Sequence, residues 1–262
     1  TACRQREAVS HDYKTELEKE LTAIADSAKG DVGIALIYDG DTLTVNNDAI
    51  YPMMSVFKLH QAVALCRMFE ENGTSLDSVM TLRRSELDPH TWSPMLKDHS
   101  GEEISLPMRR LLEYTLIESD NNASNEMFVR LMSPAACDSV IAGIIQRGSL
   151  EIRFNEAEMQ TDHSRAYSNR TSPLGAAILI DRLFTDTLVG KSYQDFIKSA
   201  LLRCQTGPDK ISAALSEAEG ITIGHKTGSG YRDENGRLTA SNDVAFISLP
   251  DGRHYALAVF VK

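Results

Sequence analysis

A serine and a lysine three residues apart, in Ser55-Val56-Phe57-Lys58, are the first candidates for chemistry. On a helix that separation puts the hydroxyl and the amine on one face, within reach of each other. Serine is a poor nucleophile until a base takes its proton, and a lysine can be that base when burial or a second cation lowers its pKa. Pro52 just upstream marks the start of a long helix. There a backbone N–H and the positive end of the helix dipole would face an oxyanion formed on an acylated serine. Composition alone predicts about one S-x-x-K in a chain of this length, so its position carries more weight than the motif.

Two further clusters fit the same chemistry. Ser119-Asp120-Asn121 opens a polar interruption between two apolar helices. These residue types are preferred helix caps. Equally, they offer a hydroxyl to pass a proton to a leaving nitrogen and an amide to hold a substrate. Lys226-Thr227-Gly228-Ser229-Gly230 follows a strand and combines a cation, two hydroxyls and side-chain-free glycines, which suits a substrate carboxylate lying against the backbone.

The elements that must position these residues divide by period. Leu17, Leu21, Ile24 and Ala28 predict an amphipathic helix that ends before Gly30. Strands are expected at Val32 to Tyr38 and Thr42 to Val45 around Asp39-Gly40-Asp41, and again at Ile221 to His225, Val244 to Leu249 and Tyr255 to Val261. Between them helices are expected at Val56 to Glu71, Leu106 to Ile117, Asn122 to Met132, Ala135 to Arg147, Pro173 to Asp186 and Tyr193 to Cys204. This order implies an α+β fold, with an antiparallel sheet formed by the N- and C-terminal segments, flanking helices and an inserted all-helical lobe. We expect a single domain of two lobes, an α/β lobe of about 1–52 and 206–262 and a helical lobe of about 53–205, with a ligand cleft at the seam.

Composition narrows the classes. The chain has 262 residues, 42% hydrophobic and 24% charged, enough to bury a large core. A formal net charge of -10 without a Lys/Arg cluster disfavours a nucleic-acid partner. No run approaches the roughly 20 apolar residues that span a bilayer. The start of the chain lacks the apolar core of a signal peptide, which implies a cytosolic protein or a leader already removed. The seven histidines form no H-x-H or H-E-x-x-H pattern, so neither a metal nor another cofactor is expected. His60 and His225 read as packing or hydrogen-bonding groups. Cys3, Cys66, Cys137 and Cys204 show no C-x-x-C spacing, and Cys66 reads as a buried thiol. Thr1-Ala2-Cys3 has the form of a lipoprotein cleavage site, which makes Cys3 a candidate lipid anchor.

S-x-x-K, S-D-N and K-T-G in this order resemble the class A serine β-lactamases and the penicillin-binding proteins. The resemblance runs from Val32 to Lys262. Tyr51-Pro52-Met53-Met54-Ser55-Val56-Phe57-Lys58, Thr91-Trp92-Ser93-Pro94 and Tyr167-Ser168-Asn169 are similar to the CfxA-like and PER-like branch, mostly cephalosporinases. It implies a monomeric, periplasmic or secreted hydrolase of β-lactam antibiotics, with Ser55 as nucleophile and Lys58, or Glu156 through a water, as acylation base. The backbone N–H groups of Ser55 and Ser229 would receive the oxyanion, Ser119 would protonate the ring nitrogen and Asn121 would hold the acylamido side chain. Lys226, Thr227, Gly228 and Ser229 would bind the carboxylate, with Lys210 nearby and Trp92 as an aromatic wall. A Lys226 cation would also ease deprotonation of Lys58. Glu156 in Asn155-Glu156-Ala157-Glu158 stands at the place of the deacylation base, with Glu158 as the fallback.

Several positions depart from the class A pattern. Gln160 stands where most members place an asparagine at the hydrolytic water. The loop arginine and aspartate that usually pair are Phe154 and Asn169, so the loop is expected to take another path and to widen access. Ala62 replaces a disulfide cysteine, and the chain stops at Lys262 where members continue into a helix. The alternative implied by the shared motifs is a β-lactam sensor or penicillin-binding, DD-peptidase-like protein that is acylated without rapid turnover.

Overall fold

A computed structural model of the chain describes residues 2–146, 149–215 and 218–262, with side chains from Tyr13 onward. The Cys3 side chain and Arg147, the expected helix end, lie outside the described residues. The helices are α1 (Ala2–Ser27), α2 (Phe57–Asn72), α3 (Pro94–Asp98), α4 (Met108–Ile117), α5 (Asn121–Arg130), α6 (Pro134–Ile145), α7 (Glu156–Thr161), α8 (Pro173–Thr185) and α9 (Lys191–Leu202). The strands are β1 (Val32–Tyr38), β2 (Asp41–Val45), β3 (Tyr51–Pro52), β4 (Val79–Arg83), β5 (Glu103–Pro107), β6 (Leu150–Glu151), β7 (Arg170–Thr171), β8 (Thr222–Ser229), β9 (Ser241–Ser248) and β10 (His254–Val261).

Asp39 and Gly40 take φ of 50° and 76°, the pair of positive angles that a tight hairpin demands, and so turn β1 into β2. β1 then pairs antiparallel with β10, Val32 opposite Val261 and Tyr38 opposite Tyr255. β9 and β8 follow, giving one sheet in the order β2-β1-β10-β9-β8 from the two ends of the chain. On one face α1 lays Leu17, Leu21 and Ala25 against Val32, Ile34, Leu43 and Val45. Ile24, expected on that face, is 61% exposed because the helix repeat passes from Leu21 to Ala25. On the other face α8 crosses β1, β10 and β9, and α9 packs on β8. Ala35, Ala256 and Ala258 are fully buried beneath them, small enough to let the helix close on the sheet.

α2 is buried on almost every side, as a helix must be when α4, α6 and α9 surround it. Its polar residues are matched rather than exposed: Gln61 exchanges hydrogen bonds with the carbonyl (2.9 Å) and hydroxyl (2.8 Å) of Ser124, which ties α2 to α5. Among the boundaries that differ from the sequence reading, two have a clear physical cause. Leu106 belongs to β5, paired with Met80, and α4 begins only at Met108, since the residue before Pro107 is driven into extended backbone. β8 continues through the Lys226 motif to Ser229 because Gly228 and Ser229 pair with Asn242 and Ser241.

Candidate active site

Ser55 lies on a single 3-10 turn, Met54–Val56, that feeds directly into α2. Met54 before it has φ 47°, a left-handed conformation costing about 1–3 kcal/mol for a residue with a side chain. Packing against the sheet holds the turn there. Asn242 of β9 donates Nδ2 to the carbonyls of Pro52 (2.8 Å) and Met53 (3.2 Å). Gly228 of β8 approaches so closely that a Cβ would lie 2.4 Å from the Met53 oxygen and 3.1 Å from the Ser55 nitrogen. The N–H of Ser55 and the end of β8 are thus neighbours.

Lys58, one turn into the helix, is fully buried and is the hub of the site. Its ammonium donates to Ser55 Oγ (3.2 Å), the Ser119 carbonyl (2.9 Å) and Asn121 Oδ1 (2.5 Å). It also pairs with Glu156 Oε1 at 2.9 Å. Glu156 is 7% exposed, and beyond that ion pair Oε1 has no hydrogen-bond partner among the described residues. Glu158 plays a different part. Its carboxylate accepts from the Asn155 N–H while Asn155 Oδ1 accepts from the Glu158 N–H, both at 2.9 Å, so it closes the N-terminal cap of α7. The carboxylate at the lysine is that of Glu156. A further bond, from the Ala157 N–H to Asn125 Oδ1 (3.0 Å), fixes α7 to α5.

Lys226 enters from β8 and donates to Ser119 Oγ (3.0 Å) and to the Thr227 carbonyl (3.0 Å). It is fully buried and forms no ion pair among the described residues. Burial, reinforced by the Lys58 charge, brings its amine down to about 7. Ser119 itself has φ 60°, a second strained residue at the same spot. Lys210 also reaches β8, donating to the Gly228 carbonyl (3.1 Å), Ser229 Oγ (3.0 Å) and the Asn242 carbonyl (3.1 Å). Thr227 and Thr206 share a hydroxyl hydrogen bond of 2.6 Å. Asp120 caps α5 and accepts from Ser93 Oγ and the Met95 N–H, which brings the 91–95 segment to the site. Asn121 Nδ2 then meets Thr91 Oγ1 (2.8 Å), and Trp92, 53% exposed, stands at the rim with Nε1 on the Glu118 carbonyl. A core position for Trp92 is thereby excluded.

A family model described as the β-lactamase enzyme family matches residues 16–262, nearly the whole chain. The chain belongs to the β-lactamase enzyme family. A β-lactamase of Phocaeicola vulgatus is 54% identical over 247 residues, covering 94% of this chain and 77% of its own. The extended-spectrum β-lactamase PER-1 of Pseudomonas aeruginosa is 32% identical over 249 residues, 94% of this chain and 79% of its own. A solved class A β-lactamase from Bacteroides cellulosilyticus, 28% identical, has a TM-score of 0.87 over 95% of this chain and 88% of its own. This β-lactamase is accordingly a class A enzyme that hydrolyses β-lactams, the activity behind resistance to these antibiotics.

The loop that carries Glu156 is tied at its neck without the ion pair common in class A. Asn169, fully buried, accepts at Oδ1 from the N–H groups of Arg153 (2.8 Å) and Phe154 (3.0 Å) and donates Nδ2 to the Phe154 carbonyl (2.8 Å). Its own carbonyl accepts from the Met53 N–H (2.8 Å), next to the Ser55 turn. Further along, His163 stacks on Tyr231 with ring centroids 3.7 Å apart, so this β-lactamase joins its loop to the segment after β8. Gln160, one turn beyond Glu156, is half-buried and its side chain hydrogen-bonds to no described residue. Cys66, Cys137 and Cys204 are free thiols. Sequence reading missed Asn242, Thr206 and the closing role of Asn169. Only the Asn155-x-x-Glu158 spacing, a capping-box pattern, carried a local signal.

Proposed function

We propose that this β-lactamase works through an acyl-enzyme on Ser55 that Glu156 hydrolyses, and that it favours cephalosporins. The observation that carries the reading is the Lys58 ammonium held between Ser55 Oγ (3.2 Å) and Glu156 Oε1 (2.9 Å). Through that contact the Lys58–Glu156 pair accepts the Ser55 proton as the hydroxyl attacks the lactam carbonyl. The oxyanion that forms faces the N–H groups of Ser55 and Ser229, at a place where no reorganisation is needed. Ser119, linked to Lys226, delivers a proton to the departing ring nitrogen and is resupplied with the proton that left Ser55, which frees Glu156 for the next step. Asn121 engages the acylamido group, the arm of Lys226, Thr227, Ser229 and Lys210 takes the carboxylate, and Trp92 borders the cleft. Glu156 then draws a proton from the water that attacks the ester, and that proton passes to Ser55 Oγ as the ester C–O bond breaks.

Mixing the unmutated protein with a chromogenic cephalosporin, and following turnover and intact mass together, tests this. Many turnovers per chain with only a transient adduct are expected. A single equivalent bound, with a lasting adduct and no turnover, would establish the sensor or penicillin-binding alternative instead. Faster turnover of a penicillin would remove the cephalosporin preference.

The lowered amine of Lys226 makes a prediction about pH. Free enzyme loses that charge as pH rises through about 7, so kcat/KM for an anionic substrate should fall there. Bound carboxylate favours the charged amine, so kcat should persist to higher pH. Lys226→Arg, which stays charged, is expected to abolish the basic limb of kcat/KM at a lower plateau. An unchanged limb in that variant would assign the titration to another group.

A further inference from the structure

Cys204, His225 and Asp243 converge beside the substrate arm and take no part in the scheme above. Asp243 of β9 accepts from His225 Nδ1 at 3.0 and 3.2 Å and is itself fixed by the Ile211 N–H at 3.1 Å. The imidazole also faces the Cys204 thiol, just past the end of α9. A nucleophile, an imidazole and a carboxylate that orients it thus stand in the order that activates thiols. His225 and Asp243 are buried, whereas Cys204 is partly exposed.

Burial alone would push the Cys204 thiol up. The interaction with His225 and the charge of Lys226 outweigh it and bring the thiol down to about 7. Burial likewise works against charge on His225, and Asp243 and Cys204 raise it to about 10. The other described thiols provide the contrast. Cys66 and Cys137 are fully inaccessible, and burial pushes both up, Cys66 to about 12. Only Cys204, among the described cysteines, combines access with an activating partner.

Coupling to the substrate arm is short. Cys204 Sγ lies 3.4 Å from Thr206 Oγ1, which in turn is 2.6 Å from Thr227 Oγ1. A group attached to the sulfur must displace Thr206 and with it the Thr227 hydroxyl. Of the charged groups acting on the thiol, Lys226 and His225 both favour an anion there, while Asp209 and Asp243 are engaged by Lys210 and His225, a setting that suits an anionic reagent.

We propose that Cys204 is a thiol–disulfide exchange site for small anionic disulfides, and that the mixed disulfide weakens binding of the β-lactam carboxylate. In the exchange the Cys204 sulfur bonds to one sulfur of the reagent as the reagent's own S–S bond breaks. The second sulfur leaves with the electron pair as a thiolate, so the disulfide is the only oxidant required. The coupling to β-lactam binding rests on the carboxylate role given above to Thr227; the exchange itself does not.

Dithiobis(nitrobenzoate), a dianionic aromatic disulfide, is the probe for the full chain, with the labelled residue located by peptide mass mapping. The labelling rate of Cys204 is expected to level off above about pH 7 and, in His225→Gln, to keep rising toward the ordinary thiol range near pH 8.5. At pH 7 the native chain should react about threefold faster than that variant, because a roughly sixteenfold gain in thiolate is offset by a roughly fivefold loss in nucleophilicity. The adduct should raise KM for an anionic cephalosporin tenfold or more, as loss of a hydrogen bond to a charged group does, with dithiothreitol restoring it. Cys204→Ala should hydrolyse normally and ignore the reagent. A native rate that climbs to pH 8.5 as in His225→Gln, or no label on Cys204, would overturn the exchange site. Full labelling with an unchanged KM would overturn the coupling. Since labelling is read by mass, neither result depends on whether Ser55 and Glu156 hydrolyse β-lactams.

Discussion

Glu156→Gln is expected to turn the enzyme into a trapped acyl-protein, with one equivalent of β-lactam bound to Ser55 and turnover reduced by about 10²–10⁴, the usual contribution of a positioned general base. That factor corresponds to roughly 3 to 5 kcal/mol of barrier. The substitution keeps the size of a side chain that is 7% exposed, so packing around α7 should survive while the proton acceptor is lost. Acylation slows as well, since Lys58 loses the carboxylate 2.9 Å away. The adduct still accumulates because water has no second base: Glu158 is committed to the Asn155 N–H. Intact mass after mixing and the steady-state kcat measure both effects. Glu158→Gln provides the control, with near-normal turnover and an intact cap, since a glutamine oxygen can still accept from the Asn155 N–H. If Glu158→Gln traps the adduct and Glu156→Gln turns over, the base has been assigned to the wrong carboxylate.

Gly228→Ala is expected to impair acylation rather than deacylation, with a loss of about 10² in kcat/KM. The added carbon would stand 2.4 Å from the Met53 carbonyl and 3.1 Å from the Ser55 nitrogen, and both are backbone atoms that no rotamer change can clear. Either β8 or the Ser55 turn must move by something near an ångström, and misplacement on that scale at reacting atoms costs about that factor. Asn242 resists the movement by holding Pro52 and Met53 to β9, so overpacking should also lower stability by about 1–3 kcal/mol. Pre-steady-state acylation rates together with thermal unfolding would detect both. Acylation at the normal rate would show that the approach of β8 to the Ser55 turn does not set the oxyanion geometry.

The parts of the site that sequence reading reached were those written locally. Ser55 and Lys58 meet because a helical turn brings residues three apart together, and β1 and β2 were legible because Asp39-Gly40 can adopt the angles their turn requires. Lys226 was legible as a cation at a strand end, yet the strand proved to run through it, since its pairing with β9 is set by residues far along the chain. Lys226 and Lys58 were also expected to share a like-charge effect that favours loss of the Lys58 proton. Burial, with the Lys58 charge beside it, lowers the Lys226 amine, and Lys58 itself faces a carboxylate contributed by α7, a neighbour that the sequence did not place. Glu156 and Glu158 look alike in sequence, and only the folded cap separates them. The absence of the common loop ion pair was readable from Phe154 and Asn169, but an amide that binds three backbone groups across the neck was not.

The Asn169 closure itself uses only amide groups and carbonyls, but a carboxylate stands beside it: Glu151 pairs with Arg153 (2.7 Å) and Arg170 (2.9 Å). Strong acid, by protonating Glu151, and concentrated salt, by shielding its two arginines, should therefore loosen the flank of the loop and spare the amide knot at its centre.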